Sequence, residues 1–185
     1  ILLDQYANEA NPDSHVRTTG PEIWRQTDGK VTHFIAGVGT CGTITGTGRY
    51  LKGRNPGVKV LAAIPEDGHD IPGVRSRRQL KQTKLYRPAE YDGDTEITNK
   101  EAFDLCLRLN REESIIAGPS SGMALAAAFK LVPDEPGVIA VVVFPDNIFK
   151  YASSIVRHFP QLTIAEKPVA LSGAPSAHEQ LFDAM

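Results

Sequence analysis

The feature that most constrains the fold is the run Val138 to Phe144 (VIAVVVF), which is unbroken, apolar and β-branched. A strand with one wet face alternates polar and apolar residues, whereas a continuous run is expected of a strand covered on both faces. Such strands belong to parallel sheets with helices on either side. The run is far too short to span a bilayer.

The rest of the chain agrees, because strand-like and helix-like segments alternate along it. Thr19 and Pro21 open a helix over Pro21 to Thr27, which Gly29 stops. Val31 to Ala36 reads as a short strand. A glycine-rich turn follows, Gly37-Val38-Gly39-Thr40-Cys41-Gly42, and then a helix from about Thr43 to Gly53. Lys59 to Ile64 is a second buried strand. Thr98 with Glu101 makes a capping box for a helix ending near Asn110. Ser114 to Ala117 reads as a short apolar strand, Ser121 caps an alanine-rich helix to Leu131, and Asn147 to His158 is a last helix. The expected class is therefore α/β, a parallel twisted sheet flanked by helices with right-handed crossovers. In such sheets ligands bind beyond the carboxyl ends of the strands, where both glycine-rich turns fall. Pro65 to Glu96 is polar and reads as a long loop. Residues 1–160 form the folded unit and 161–185 a tail or linker. The chain begins with Ile1 rather than methionine, so an upstream segment is expected.

Composition narrows the function classes. With 41% hydrophobic and 23% charged residues the chain is an ordinary globular one. A net charge of -2 gives no electrostatic reason to expect nucleic acid or an anionic membrane as partner. Two cysteines, Cys41 and Cys106, are too few for a disulfide framework and fit a reducing, cytoplasmic setting. Cys106 falls on the apolar face of its helix and is expected in the core.

The segment Gly37 to Thr47 (GVGTCGTITGT) places glycines and hydroxyls at a strand-to-helix turn. Amides at a helix N-terminus carry partial positive charge, and glycines let a phosphate come close to them. A nucleotide-triphosphate P-loop would need a lysine after its last glycine, and Thr43 follows Gly42 instead. A dinucleotide site remains open, since Gly37, Gly39 and Gly42 satisfy the G-x-G-x-x-G spacing and the second strand ends near Glu66, roughly where a ribose-binding acid is expected. So does a site for a small phosphate monoester. The turn Ala117-Gly118-Pro119-Ser120-Ser121-Gly122 again follows a strand and opens a helix, which suggests a ligand held at two ends.

Taken in order, these segments resemble fold-type II pyridoxal-phosphate (PLP) enzymes, most closely cysteine synthase and cystathionine β-synthase. The resemblance rests on Asp4-Gln5-Tyr6-Ala7-Asn8, Ala10-Asn11-Pro12, His15, Thr18 to Trp24, GVGTCGTITG, AGPSSGMA (Ala117 to Ala124) and Phe144-Pro145-Asp146-Asn147. It implies the tryptophan synthase β-like fold, here incomplete, and PLP as cofactor. Gly39, Thr40, Cys41, Gly42 and Thr43 would hold the phosphate, and Ser120 would meet the pyridine nitrogen. Gln5 and Tyr6 would border the substrate carboxylate, and Gly73 would sit in a mobile loop. Arg75 would offer a fork to a phosphate on the incoming serine, against a plainer reading of Arg75, Arg77 and Arg78 as a solvated basic turn.

The implied parent is a homodimer that makes L-cysteine from O-acetylserine or O-phosphoserine and a sulfide donor by β-elimination and replacement. Its partners would be these small molecules, with no metal. The departures are specific. None of the nine lysines stands in the context of the family's Schiff-base lysine, which lies upstream of the matched part. Cys41 stands where glycine is frequent. The chain between Ile64 and Gly73 is short. A fragment that binds PLP without turnover is the alternative from a different class.

Overall fold

In a computed structural model that describes residues 2–160, four parallel strands order as β3-β2-β1-β4. In chain order the elements are α1 (Ala10–Arg17), α2 (Thr19–Gln26), β1 (His33–Gly37), α3 (Gly42–Arg54), β2 (Lys59–Pro65), α4 (Arg77–Leu80), β3 (Gly93–Ile97), α5 (Asn99–Glu112), α6 (Pro119–Leu131), β4 (Ala140–Val142) and α7 (Ala152–His158). Short 3-10 turns occupy Pro88–Glu90 and Ile148–Tyr151. His33 is in register with Lys59 on one side and Ala140 on the other. No helix among the described residues is long and apolar enough to cross a membrane.

The two-residue period of the central strands divides the core in two. Phe34, Ala36, Val60, Ala62 and Ile64 face Ile44 and Leu51 of α3. Ile35, Leu61 and Ala63 face Ala102 and Phe103 of α5 and Met123 and Ala127 of α6. Consecutive residues thus serve opposite faces, which is why β1 and β2 read as unbroken apolar runs. Cys106 lies fully buried in the second core.

Several expectations need correcting. β4 is three residues long and half-exposed, not a strand covered throughout Val138 to Phe144. It ends the sheet with β1 as its neighbour, and Gly137, at a φ of 87°, turns the chain just before it. Within the supposed loop Pro65 to Glu96, residues 93–97 form β3. Its sequence, GDTEI, is polar because it is an edge strand with Ile97 alone fully buried. Ser114 to Ala117 is not a strand. Ser114 has a φ of 57° and Ile115 and Ile116 face outward. Gly118, not Ser121, caps α6, and the Ser121 hydroxyl is buried with no partner among the described residues. The helix read over Asn147 to His158 is a 3-10 turn followed by α7. Helix α1 carries too little apolar periodicity to be seen in the sequence, as Pro12 is its one buried residue. The tail assigned to 161–185 lies outside the described residues.

The capping box is present as read. Thr98 accepts from the Glu101 amide, and the Glu101 carboxylate accepts from the Thr98 amide at 2.9 Å. Thr98→Ala should therefore lower stability by about 1 kcal/mol, read as a shifted urea midpoint with an unchanged slope. An unchanged midpoint would show the box to be idle.

Candidate cofactor site

The site starts where β1 runs out. Val38 hands its amide to Ala63 at 3.2 Å, and the chain then turns through Gly39, Thr40 and Cys41 into α3. Cys41 adopts the left-handed region, with a φ of 71°, just before the first helical residue. That conformation is strained for a side chain other than glycine. Two glycines are required by close approach. A Cβ on Gly39 would run into the carbonyl of Gly73, and one on Gly42 into the amide group of Asn11.

No acceptor among the described residues takes the amides of Gly39, Thr40, Cys41 or Thr43. Unpaired amides gathered at a helix N-terminus form an anion cradle. Two hydroxyls border it. Thr40 Oγ1 accepts from Asn11 Nδ2 at 3.0 Å and from the Gly42 amide at 3.3 Å, leaving its own proton to donate outward. Thr43 Oγ1 lies 3.2 Å from His15 Nε2, while His15 Nδ1 lies 2.9 Å from Thr19 Oγ1. Burial holds the His15 pKa below its ordinary 6.5, so the ring is neutral at pH 7.

Gln5, Tyr6, Gly39, Thr40, Cys41, Thr43, Gly73 and Ser120 line one cavity of about 320 Å³. Gly42 sits behind its wall, under Asn11. Arg75 is outside the lining. Its guanidinium lies over the Tyr6 ring, 3.8 Å from the centroid, and Nη1 donates to Thr83 Oγ1 at 2.9 Å. Arg77 and Arg78 are exposed, and Arg77 pairs with Asp94. No lysine among the described residues lines the cavity.

At the α6 end Ser120 is almost fully buried, with its hydroxyl 3.4 Å from Asp146 Oδ1. Asp146 Oδ2 accepts from the Tyr151 hydroxyl. Burial, reinforced by the Asp146 carboxylate, pushes the Tyr151 phenol up to about 12, so it remains a neutral donor. Burial also raises both thiols to about 12. Cys41 is therefore no nucleophile, and Cys106 gives its proton to the Ala117 carbonyl at 3.2 Å.

Sequence reasoning assigned no role to Asn11, His15, Asp146 or Tyr151. The signals were present in Asn11-Pro12 with His15 four residues on, and in the acid two residues after Phe144, but only the fold brings them together. Glu66, the candidate ribose acid, accepts from the Asn99 amide at 2.7 Å and lines a different hollow with Thr98 and Phe103. The glycine turn therefore lacks that partner. The donor set fits a phosphate monoester attached to a heteroaromatic ring, with amides and hydroxyls at one end and a buried hydroxyl at the other.

A family model described as pyridoxal-phosphate dependent enzyme matches residues 1–146. The chain belongs to that family. It is 42% identical over 153 residues to cysteine synthase B of Pseudomonas aeruginosa, covering 83% of this chain and 51% of that protein. It is 42% identical over 171 residues to cysteine synthase A of Escherichia coli, covering 83% and 53%. Among solved structures, it is similar to O-acetyl serine sulfhydrylase isoform 3 of Entamoeba histolytica, with a TM-score of 0.72 and 31% identity over 81% of this chain and 47% of that one. It is similar also to the O-acetylserine dependent cystathionine beta-synthase of Helicobacter pylori, with a TM-score of 0.75 and 31% identity over 82% and 52%. The chain spans about half the length of the curated relatives it matches.

The His15 environment gives a pH dependence with a definite sign. The folded ring has the lower pKa, so below about pH 6.5 the unfolded chain binds protons that the folded chain refuses. The stability that His15 contributes is present above that pH and is lost as pH falls toward the folded pKa. Urea midpoints taken at pH 7.5 and pH 5.5 should differ less in His15→Gln than in the unaltered chain. An equal difference in both would place the dependence elsewhere.

Proposed function

We propose that this chain is the phosphate-cradling part of a PLP-dependent cysteine synthase. The intact parent would make L-cysteine from an activated serine, O-acetylserine or O-phosphoserine, and a sulfide donor by β-elimination and replacement. The observation that carries this reading is the gathering of four unpaired amides, Thr40, Thr43 and the buried Ser120 around one cavity.

When bound, PLP supplies an electron sink that weakens bonds at the substrate Cα. The residues of this chain do the rest by position. The amides of Gly39, Thr40, Cys41 and Thr43 and the Thr40 hydroxyl would hold the phosphate, with Asn11 fixing that hydroxyl and Gly42 leaving room for Asn11. Ser120 presents a neutral hydroxyl to the pyridine nitrogen. A neutral hydroxyl in that position, in place of a carboxylate, would suit elimination over transamination. Gln5, Tyr6 and Gly73 border the amino-acid substrate. Arg75 acts through Tyr6, by stacking on its ring, rather than as a fork for a substrate phosphate. The Schiff-base lysine comes from the remainder of the parent. The likeness to the Helicobacter pylori protein favours one second reading, in which the incoming thiol is homocysteine rather than sulfide.

The 185-residue chain should bind PLP reversibly, and borohydride should leave no PLP-modified lysine in the cavity. Gly42→Asp, whose side chain would displace Asn11 from Thr40 and part α1 from α3, should abolish that binding. A stoichiometric adduct on one of the nine lysines, or unaltered binding by Gly42→Asp, would contradict the assignment.

In the parent, Ser120→Ala should retain PLP and slow turnover by roughly fivefold, the worth of one hydrogen bond of about 1 kcal/mol. Arg75→Ala should impair O-acetylserine and O-phosphoserine alike. Loss confined to O-phosphoserine would return Arg75 to the role of phosphate fork. Rates with sulfide and with homocysteine separate the two thiol readings.

A further inference from the structure

Between β2 and α4 the chain lines the cavity with Pro72, Gly73 and Val74, on a loop anchored at both ends. The Glu66 amide donates to the Ile97 carbonyl at 3.0 Å, and the Arg75 amide to the Val38 carbonyl at 2.8 Å. Between these anchors Asp67, Gly68 and Gly73 are exposed, and both glycines adopt a φ of 78°. Ile71 is the one fully buried side chain of that interval, with the half-buried Val74 packed against the same core. The Gly73 carbonyl nonetheless lies against Gly39 of the cradle. Something must hold a loop with so little buried surface in that place.

We propose that Asp70 is the positioning residue of this loop, joining it to α7 so that Pro72 and Gly73 stay against the cradle. This deepens the cysteine synthase reading and rests on it for the claim that the loop borders substrate. Asp70 Oδ2 accepts from Arg157 Nη1 at 2.6 Å and lies 3.3 Å from His158 Nε2. The Asp70 amide donates to Asn99 Oδ1 at 2.9 Å. The His158 ring stacks on the buried Phe103 of α5, with centroids 3.7 Å apart, so the end of α7 that grips Asp70 is itself seated. At its other end α7 follows Tyr151, whose hydroxyl holds Asp146 beside Ser120. The segment from Tyr151 through α7 therefore reaches both the loop, through Arg157 and His158, and the carboxylate beside Ser120.

An exposed ion pair contributes little to global stability. On a loop with few buried contacts, the same small free energy decides what fraction of molecules hold the loop in place. That is why the pair is read as a positioning contact and not as a fold-stabilising one.

The test is hydrogen exchange by mass spectrometry on the whole 185-residue chain, comparing Asp70→Asn, Arg157→Ala and Arg157→Lys with the unaltered protein. Amides of residues 69–75 should exchange roughly two- to fivefold faster in the first two variants. Arg157→Lys should restore protection, and β2, α3 and α6 should be unaffected. Unchanged exchange at 69–75, or a uniform acceleration that includes β2 and α6, would overturn the proposal. Arg157 is exposed and contacts Asp70 from the solvent side, so Arg157→Ala keeps the test available if Asp70→Asn does not fold. No cofactor or substrate enters this readout, so its failure leaves the cysteine synthase reading standing. In the parent, Asp70→Asn should raise the KM for the activated serine more than it lowers kcat, and a fall in kcat alone would also count against the role.

Discussion

The site depends on the direct contact of α1 with the first two turns of α3. Gly42 and Gly46 carry no Cβ, and the space a Cβ would take is filled by the Asn11 side chain and the Pro12 carbonyl. This approach lets Asn11 Nδ2 reach both the Gln5 carbonyl, at 2.7 Å, and Thr40 Oγ1, at 3.0 Å. It also brings His15 to Thr43. One packing contact thereby positions the wall of the cavity at Gln5 and both hydroxyls of the cradle. A larger side chain at residue 42 would separate the helices before it touched any ligand.

The charge distribution follows from the same geometry. Among the described residues no lysine or arginine lines the cavity, and Asp146 is its one acidic lining residue. An anion there is met by oriented amides and hydroxyls, whose dipoles are fixed by the backbone and need no side-chain reorganisation. Arg75 is spent on Tyr6 and Thr83, and its backbone amide on Val38. The carboxylate of Asp146, beside Ser120, is itself engaged by a Tyr151 hydroxyl that stays protonated. The polarity of the cavity thus runs from donors after β1 to an acceptor after β4.

What the sequence made legible was what repeats locally. The glycine turn after β1, the capping box at Thr98 and the buried runs of β1 and β2 each follow from neighbouring residues, and the family resemblance rested on such segments. β3 escaped notice because an edge strand buries one side chain and reads as loop. β4 was over-read because VIAVVVF records apolarity but not whether partners cover both edges. Helix α1 lacks an apolar stripe, since its function is to press backbone against α3. The grouping of site residues was legible only where a motif held them together. Gly39 to Thr43 are contiguous, but Asn11, Asp146 and Tyr151 join the site across long sequence separations. Arg75 was placed near substrate by its motif, and only the packing of Tyr6 beneath its guanidinium shows where that charge goes.

The central claim is that unpaired amides at the start of α3 bind a phosphate monoester. The most direct measurement is the set of backbone amide NMR shifts of the 185-residue chain titrated with pyridoxal 5'-phosphate, and separately with inorganic phosphate. The account predicts saturable downfield shifts centred on Gly39, Thr40, Cys41 and Thr43 with both ligands, and shifts at Ser120 with pyridoxal 5'-phosphate alone. Shifts centred on the Thr98 and Asn99 hollow, with the α3 turn unmoved, would contradict it.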